Sequence, residues 1–159
     1  WRAANKALKT MMKDKVEELG KGGILTVEGS TGIRLPNKLY IKYPNLRTQA
    51  AEEEGGYDET VYDTRKGRAI IPNRIYGGKV IENVCQALAR IVIGEQLLRV
   101  AKKYKVVMTV HDAIGCIVPE DEVKEGMLAV EKVMKIRPKW APDLPLDCEG
   151  GWGRSYGEC

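Results

Sequence analysis

Apolar residues at Ala4, Leu8, Met11, Met12, Val16 and Leu19 recur at helical spacing, and Gly20, Gly22 and Gly23 end the pattern, so the chain is expected to open on an amphipathic helix over 1–20. Short β-type runs follow at Ile24–Val27, Ile33–Leu35 and Leu39–Tyr43, punctuated by Gly29–Gly32 and Pro36-Asn37; this predicts an antiparallel meander over 24–43. Residues 44–60 have no periodicity and hold an acidic cluster with Gly55-Gly56, which reads as a mobile surface loop. A short strand is expected near Val61–Asp63. After Gly77-Gly78 the strongest helical pattern of the chain spans 79–103. Val106–Val110 and Ala113–Val118 are β-rich runs separated only by His111-Asp112, the signal of a hairpin over 106–118. Pro119 and Glu120–Glu122 start a further helix over 120–136, which Pro138 prevents from continuing. A last strand near Leu144–Cys148 and a glycine-rich tail complete 144–159. The order describes an α+β fold, an antiparallel sheet with helices packed on one face.

Composition bounds this picture. The 159 residues fit one domain, and 43% hydrophobic with 30% charged residues is the balance of a folded, water-soluble chain. No apolar run approaches the roughly 18 residues that a spanning helix needs, so no membrane partner is expected. The net charge of +4 names no partner by itself. Its distribution says more: Arg65 to Lys105 holds ten Lys or Arg against two Glu, while Ala51 to Asp63 holds six acidic residues and no basic one. Cys85, Cys116, Cys148 and Cys159 lack zinc-site spacing and read as reduced thiols, which suits a cytoplasmic location. The sequence starts at Trp1, inside helical pattern and without an initiator Met, as expected of a piece of something longer.

Two features carry chemistry. The turn His111-Asp112 joins the only histidine to a carboxylate between apolar strands. Val107, Met108, Val110, Ile114, Cys116 and Ile117 are expected to bury that hairpin, and a carboxylate held there needs a cation. Mg²⁺ suits it, since this ion takes oxygen ligands from one or two carboxylates plus substrate phosphates. On the long helix, Val80, Ile81, Val84, Cys85, Leu88, Ile91 and Val92 gather on an expected core face. Asn83, Gln86 and Arg90 fall at i, i+3 and i+7 on the other side, with Lys79 one turn earlier, and make a stripe of donors. Such a row matches the acceptors of the duplex minor groove, which A·T and T·A present alike.

The run Ile75-Tyr76-Gly77-Gly78-Lys79-Val80-Ile81-Glu82-Asn83-Val84-Cys85-Gln86-Ala87-Leu88-Ala89-Arg90, followed by Val110-His111-Asp112, resembles the palm of family A DNA polymerases, the DNA polymerase I-like enzymes of phages and bacteria. His111-Asp112 resembles their motif C. Trp1-Arg2-x-x-Asn5, Leu35-Pro36 and Gly150-Gly151-Trp152-Gly153-x-x-Tyr156-Gly157 extend the resemblance over essentially the whole chain. It implies deoxynucleotidyl transfer to a primer 3′-hydroxyl with two Mg²⁺ ions, primer-template DNA and a deoxynucleoside triphosphate (dNTP) as partners, and a location in the cytoplasm of the bacterial host. By the same resemblance Asp112 is a catalytic metal ligand and His111 supports the primer terminus. Gln86 and Asn83 lie on the helix that holds the duplex, and Arg74, Lys79 and Arg90 are duplex or phosphate contacts by position and charge.

The chain departs from that pattern at Ala113, where the family has glutamate. It also lacks the D-Y-S-x-I-E segment of motif A and the fingers helix with its Arg, Lys and Tyr. The chain alone is therefore expected to be inactive and to need the upstream palm, fingers and thumb, and whether it pairs with itself to cover their absent surfaces stays open. An HD-type phosphohydrolase is disfavoured because such sites need further histidines on helices. The remaining alternative is a non-catalytic duplex-binding or assembly module derived from a polymerase.

Overall fold

A computed structural model describes residues 1–20, 22–50 and 57–159. The chain forms two compact units, Trp1–Leu88 and Ala89–Cys159, and is α+β throughout.

The first unit opens with α1 (Arg2–Met12), whose buried Ala4, Ala7, Leu8 and Met11 follow the helical repeat. The helix is shorter than the periodicity predicts. Asp14 takes a left-handed φ of 51° and turns the chain, so Val16 and Leu19 enter a strand, β1 (Val16–Leu19). Four residues carrying two apolar positions satisfy either period, and the tertiary pairing decides between them. β1 joins β2 (Leu25–Glu28), β3 (Gly32–Arg34) and β4 (Tyr40–Ile41) in a four-stranded antiparallel meander in sequence order. Registers Glu17↔Val27 and Val27↔Ile33 put these side chains on one face, and α1 packs there. At the rim Glu17 accepts from Thr10 Oγ1 at 2.9 Å and pairs with Lys6, and the Lys6 bond chiefly holds its carboxyl below the ordinary value.

Residues 44–60 are not one loop. They contain β5 (Arg47–Gln49) and the start of β6 (Glu59–Lys66), which with β7 (Ala69–Arg74) form a second sheet in the order β5-β6-β7. β5 is polar throughout and gives no apolar signal. Residues 51–56, part of the expected mobile loop, lie outside the described residues. The first unit also holds the start of α2 (Gly77–Val100), where Asn5 Oδ1 accepts from the Gly77 N–H at 2.7 Å and Trp1 stacks on Tyr76.

The second unit contains the rest of α2, the hairpin β8 (Lys105–Val110) and β9 (Ala113–Ile117), and α3 (Val123–Met134). The buried Gln96 amide donates to the Met134 carbonyl, and Trp140 Nε1 donates to Glu95 Oε1 at 3.3 Å. The strand expected at Leu144–Cys148 is absent: Pro145 has no N–H for a ladder, and that segment is held instead by ties such as Lys135 to Asp147 at 2.8 Å. The described residues thus form three separate antiparallel sheets where the pattern predicts one.

Candidate nucleic-acid and metal site

Val110 pairs with Ala113, so His111 and Asp112 alone make the turn of the β8–β9 hairpin. His111 sits at φ 53°, a left-handed conformation that tight two-residue hairpin turns demand and that non-glycine residues seldom adopt. Both side chains are exposed. Among the described residues no hydrogen bond or ion pair engages the Asp112 carboxylate, so it is free to take a ligand from outside.

The expected burial of the hairpin is wrong. Val107 is 51% exposed, Val110 38% and Ile117 58%, while Met108, Ile114 and Cys116 are half-buried. A two-stranded ribbon has two faces and two open edges, and this one pairs with no third strand among the described residues. Its register slips between Val106 and Met108, leaving Val107 as a bulge. Met108 then lies over Gly115, where a Cβ would stand 2.6 Å from Met108 Cγ. Burial pushes the Cys116 thiol up.

No group of three or more His, Cys, Asp or Glu side chains among the described residues could hold a metal ion. One free carboxylate is a ligand but not a two-ion site, and the described residues set no second acid beside it.

The stripe on α2 is not uniform. Asn83 is half-buried and its amide donates to the hydroxyl of buried Tyr43 at 3.0 Å. Burial raises the Tyr43 phenol, with Asn83 opposing. Lys79 Nζ meets Glu82 Oε2 at 2.8 Å, a bond that raises the Lys79 ammonium, and Gln86 Nε2 reaches Glu82 Oε1 at 3.5 Å. Glu82 thus gathers two of the expected donors, and its spacing of three and four residues from them is the signal that marks it. Gln86 and Arg90 are exposed, and Arg90 has no partner among the described residues. Arg74, at the end of β7, pairs with Glu59 at 2.8 Å.

The core face of α2 also differs from the expected one. Val80, Val84 and Ile91 are buried, but Ile81 and Cys85 are exposed, and farther along it is Ile93, Gln96 and Val100 that are buried. One stripe cannot describe a helix whose two halves belong to different compact units.

A comparison with characterised proteins bears on this arrangement. The chain is similar to a DNA polymerase of Bacillus phage SP02. Identity is 30% over 168 aligned positions, covering 94% of this chain and 25% of the relative. The chain therefore spans about a quarter of the length of the curated relative it matches. At that coverage the alignment takes in both α2 and the His111-Asp112 turn. No protein-family model matches, and no solved structure matches. Among the described residues no helix is long and apolar enough to cross a membrane, and the four cysteines are unpaired.

Proposed function

We propose that the chain is the motif C-bearing palm portion of a family A DNA polymerase whose complete form carries out template-directed DNA synthesis in the cytoplasm of a bacterial host. The observation that carries this reading is the similarity to a phage DNA polymerase along 94% of the chain, through a segment whose His111-Asp112 turn offers an uncommitted carboxylate. In this reading Asp112 supplies one ligand to the Mg²⁺ ions, and the other carboxylate comes from the upstream palm. His111 lies beside it to support the primer terminus. Gln86 and Arg90 are the exposed duplex contacts of α2. Lys79 and Arg74 exchange Glu82 and Glu59 for phosphates when DNA arrives, and Asn83 acts through Tyr43 to hold the helix in place. Primer-template DNA, dNTP, fingers, thumb and upstream palm complete the assembly, and the isolated chain is not expected to extend a primer.

The deciding experiment replaces Asp112 by Asn in the complete parent polymerase. Turnover should fall beyond the ~10–100-fold that loss of an outer-shell partner of a metal costs, with DNA affinity nearly intact. Unchanged turnover removes Asp112 from the active site. It would then favour a second reading, a duplex-binding or assembly module without catalysis, which Ala113 also supports.

A further inference from the structure

The hairpin β6–β7 extends well past its support. β5 pairs with β6 only at Glu59, Thr60 and Val61. The Asp63 N–H still donates to the Pro44 carbonyl at 2.8 Å; beyond it, among the described residues, two strands run on alone, from Thr64↔Ile71 to Lys66↔Ala69, and turn at Gly67-Arg68 with Gly67 at φ 61°. Pro72 fits this setting, since among the described residues β7 is an edge strand with no further ladder to complete.

Charge is sorted along this arm. Near its base the cations are neutralised: Arg47 holds Asp63 at 2.7 Å and Arg74 holds Glu59 at 2.8 Å. At the tip Arg65, Lys66 and Arg68 are exposed, and none has an acidic partner among the described residues. Ile70 is 68% exposed beside them and Ile71 37%. Register places Arg65 with Ile70 on one face, and Lys66 with Ala69 on the other. The arm therefore carries cations on both faces and at its end, in the manner of an insert between two negative walls rather than a plate lying on one.

A duplex groove is such a slot. Its major groove is about 12 Å wide and admits a two-stranded β-ribbon. We propose that the β6–β7 tip is a DNA-binding arm that enters a groove of the duplex, with Arg65 and Lys66 reaching phosphates of opposite strands and Arg68 a third phosphate at the turn. The inference rests on the polymerase reading for the identity of the nucleic acid. It adds a contact separate from α2 and from the His111-Asp112 turn.

Fluorescence anisotropy with the 159-residue chain tests it, using a labelled duplex and the single strand of the same sequence between about 50 and 200 mM salt. The Arg65→Ala, Lys66→Ala, Arg68→Ala triple variant should lose about 3 units from the slope of log affinity against log salt on duplex, one per phosphate. Arg65→Lys with Arg68→Lys should keep the slope, because a phosphate contact needs charge more than fork geometry. All replaced side chains are exposed, so far-UV circular dichroism should be unchanged. A wild-type slope in the triple variant overturns the arm, even if Gln86→Ala weakens binding and so upholds the α2 contact. An equal loss on single strand overturns groove entry. Slope loss with no effect of Gln86→Ala supports the arm and removes Gln86 from the interface. No binding of the wild-type chain to either DNA also overturns it, while the Asp112→Asn turnover test of the parent enzyme still decides the polymerase reading.

Discussion

At His111 a β-carbon occupies a backbone region that favours glycine, at a cost of roughly 1–2 kcal/mol for an L-residue. A tight turn tolerates that when the side chain earns its place elsewhere. Replacing His111 by Gly should therefore leave stability unchanged or raise it by up to about 1 kcal/mol, the relieved strain being partly offset by glycine's greater unfolded-state entropy. The same change in the parent polymerase should lower DNA synthesis. Thermal unfolding of the chain and primer extension by the parent check the two halves; a clear loss of stability would mean that the imidazole holds the turn together. The sequence exposes the position of this turn, because two β-rich runs leave only two residues between them. It hides the left-handed conformation, for which Asn or Gly would be the usual sign. Asn83 shows the opposite failure: its helical spacing suggests an outward donor, but its partner Tyr43 lies forty residues away and no local pattern reveals it.

At the scale of elements, Gly32 is where the four-stranded sheet is most easily broken. It is the first residue of β3, at φ 126°, and a β-carbon there would run into the Ile41 carbonyl oxygen of β4. Gly32→Ala should cost about 2–4 kcal/mol, from a strained dihedral plus a backbone collision that no rotamer relieves. Urea unfolding followed by circular dichroism measures this, and a cost under 1 kcal/mol would show that β4 moves aside freely. The meander itself was readable, since glycine and Pro-Asn punctuate its strands. The end of α1, the polar strand β5 and the missing tail strand were not. Each depends on which segment comes to lie alongside, and that is decided by long-range pairing. The exposed β8–β9 ribbon departs from the expected burial for a related reason: apolar residues signal burial only where another layer covers them.

For the molecule as a whole, α+β was legible from the order of periods, but the division of α2 between two units was not. Charge placement sets the response to acid. Asp63 is held below its ordinary value of 3.8 chiefly by Asn45 and also by Arg47, and Asp14 by the Ser30 N–H. Glu17 lies below 4.5 through Lys6 and Thr10, and in the second unit Asp147 lies below 3.8 through Lys135. A lowered folded value means that the unfolded chain binds the proton more tightly. These contributions are therefore present above the unfolded values and lost as pH falls through the folded ones. Urea midpoints should decline as pH drops below about 4.5, and Asp63→Asn should flatten that decline. A midpoint that holds steady to pH 3 would show that these bonds add nothing to folding.

The bond from Asn5 to the Gly77 N–H has a practical corollary for anyone handling this chain. Together with the Trp1 ring against Tyr76, it moors the leading edge of the polypeptide to the first turn of the long helix. An affinity tag fused upstream, or an exopeptidase nibbling at that end, acts on an anchor and not on a spectator. That anchor grips the same rod that bears Gln86, two turns farther along.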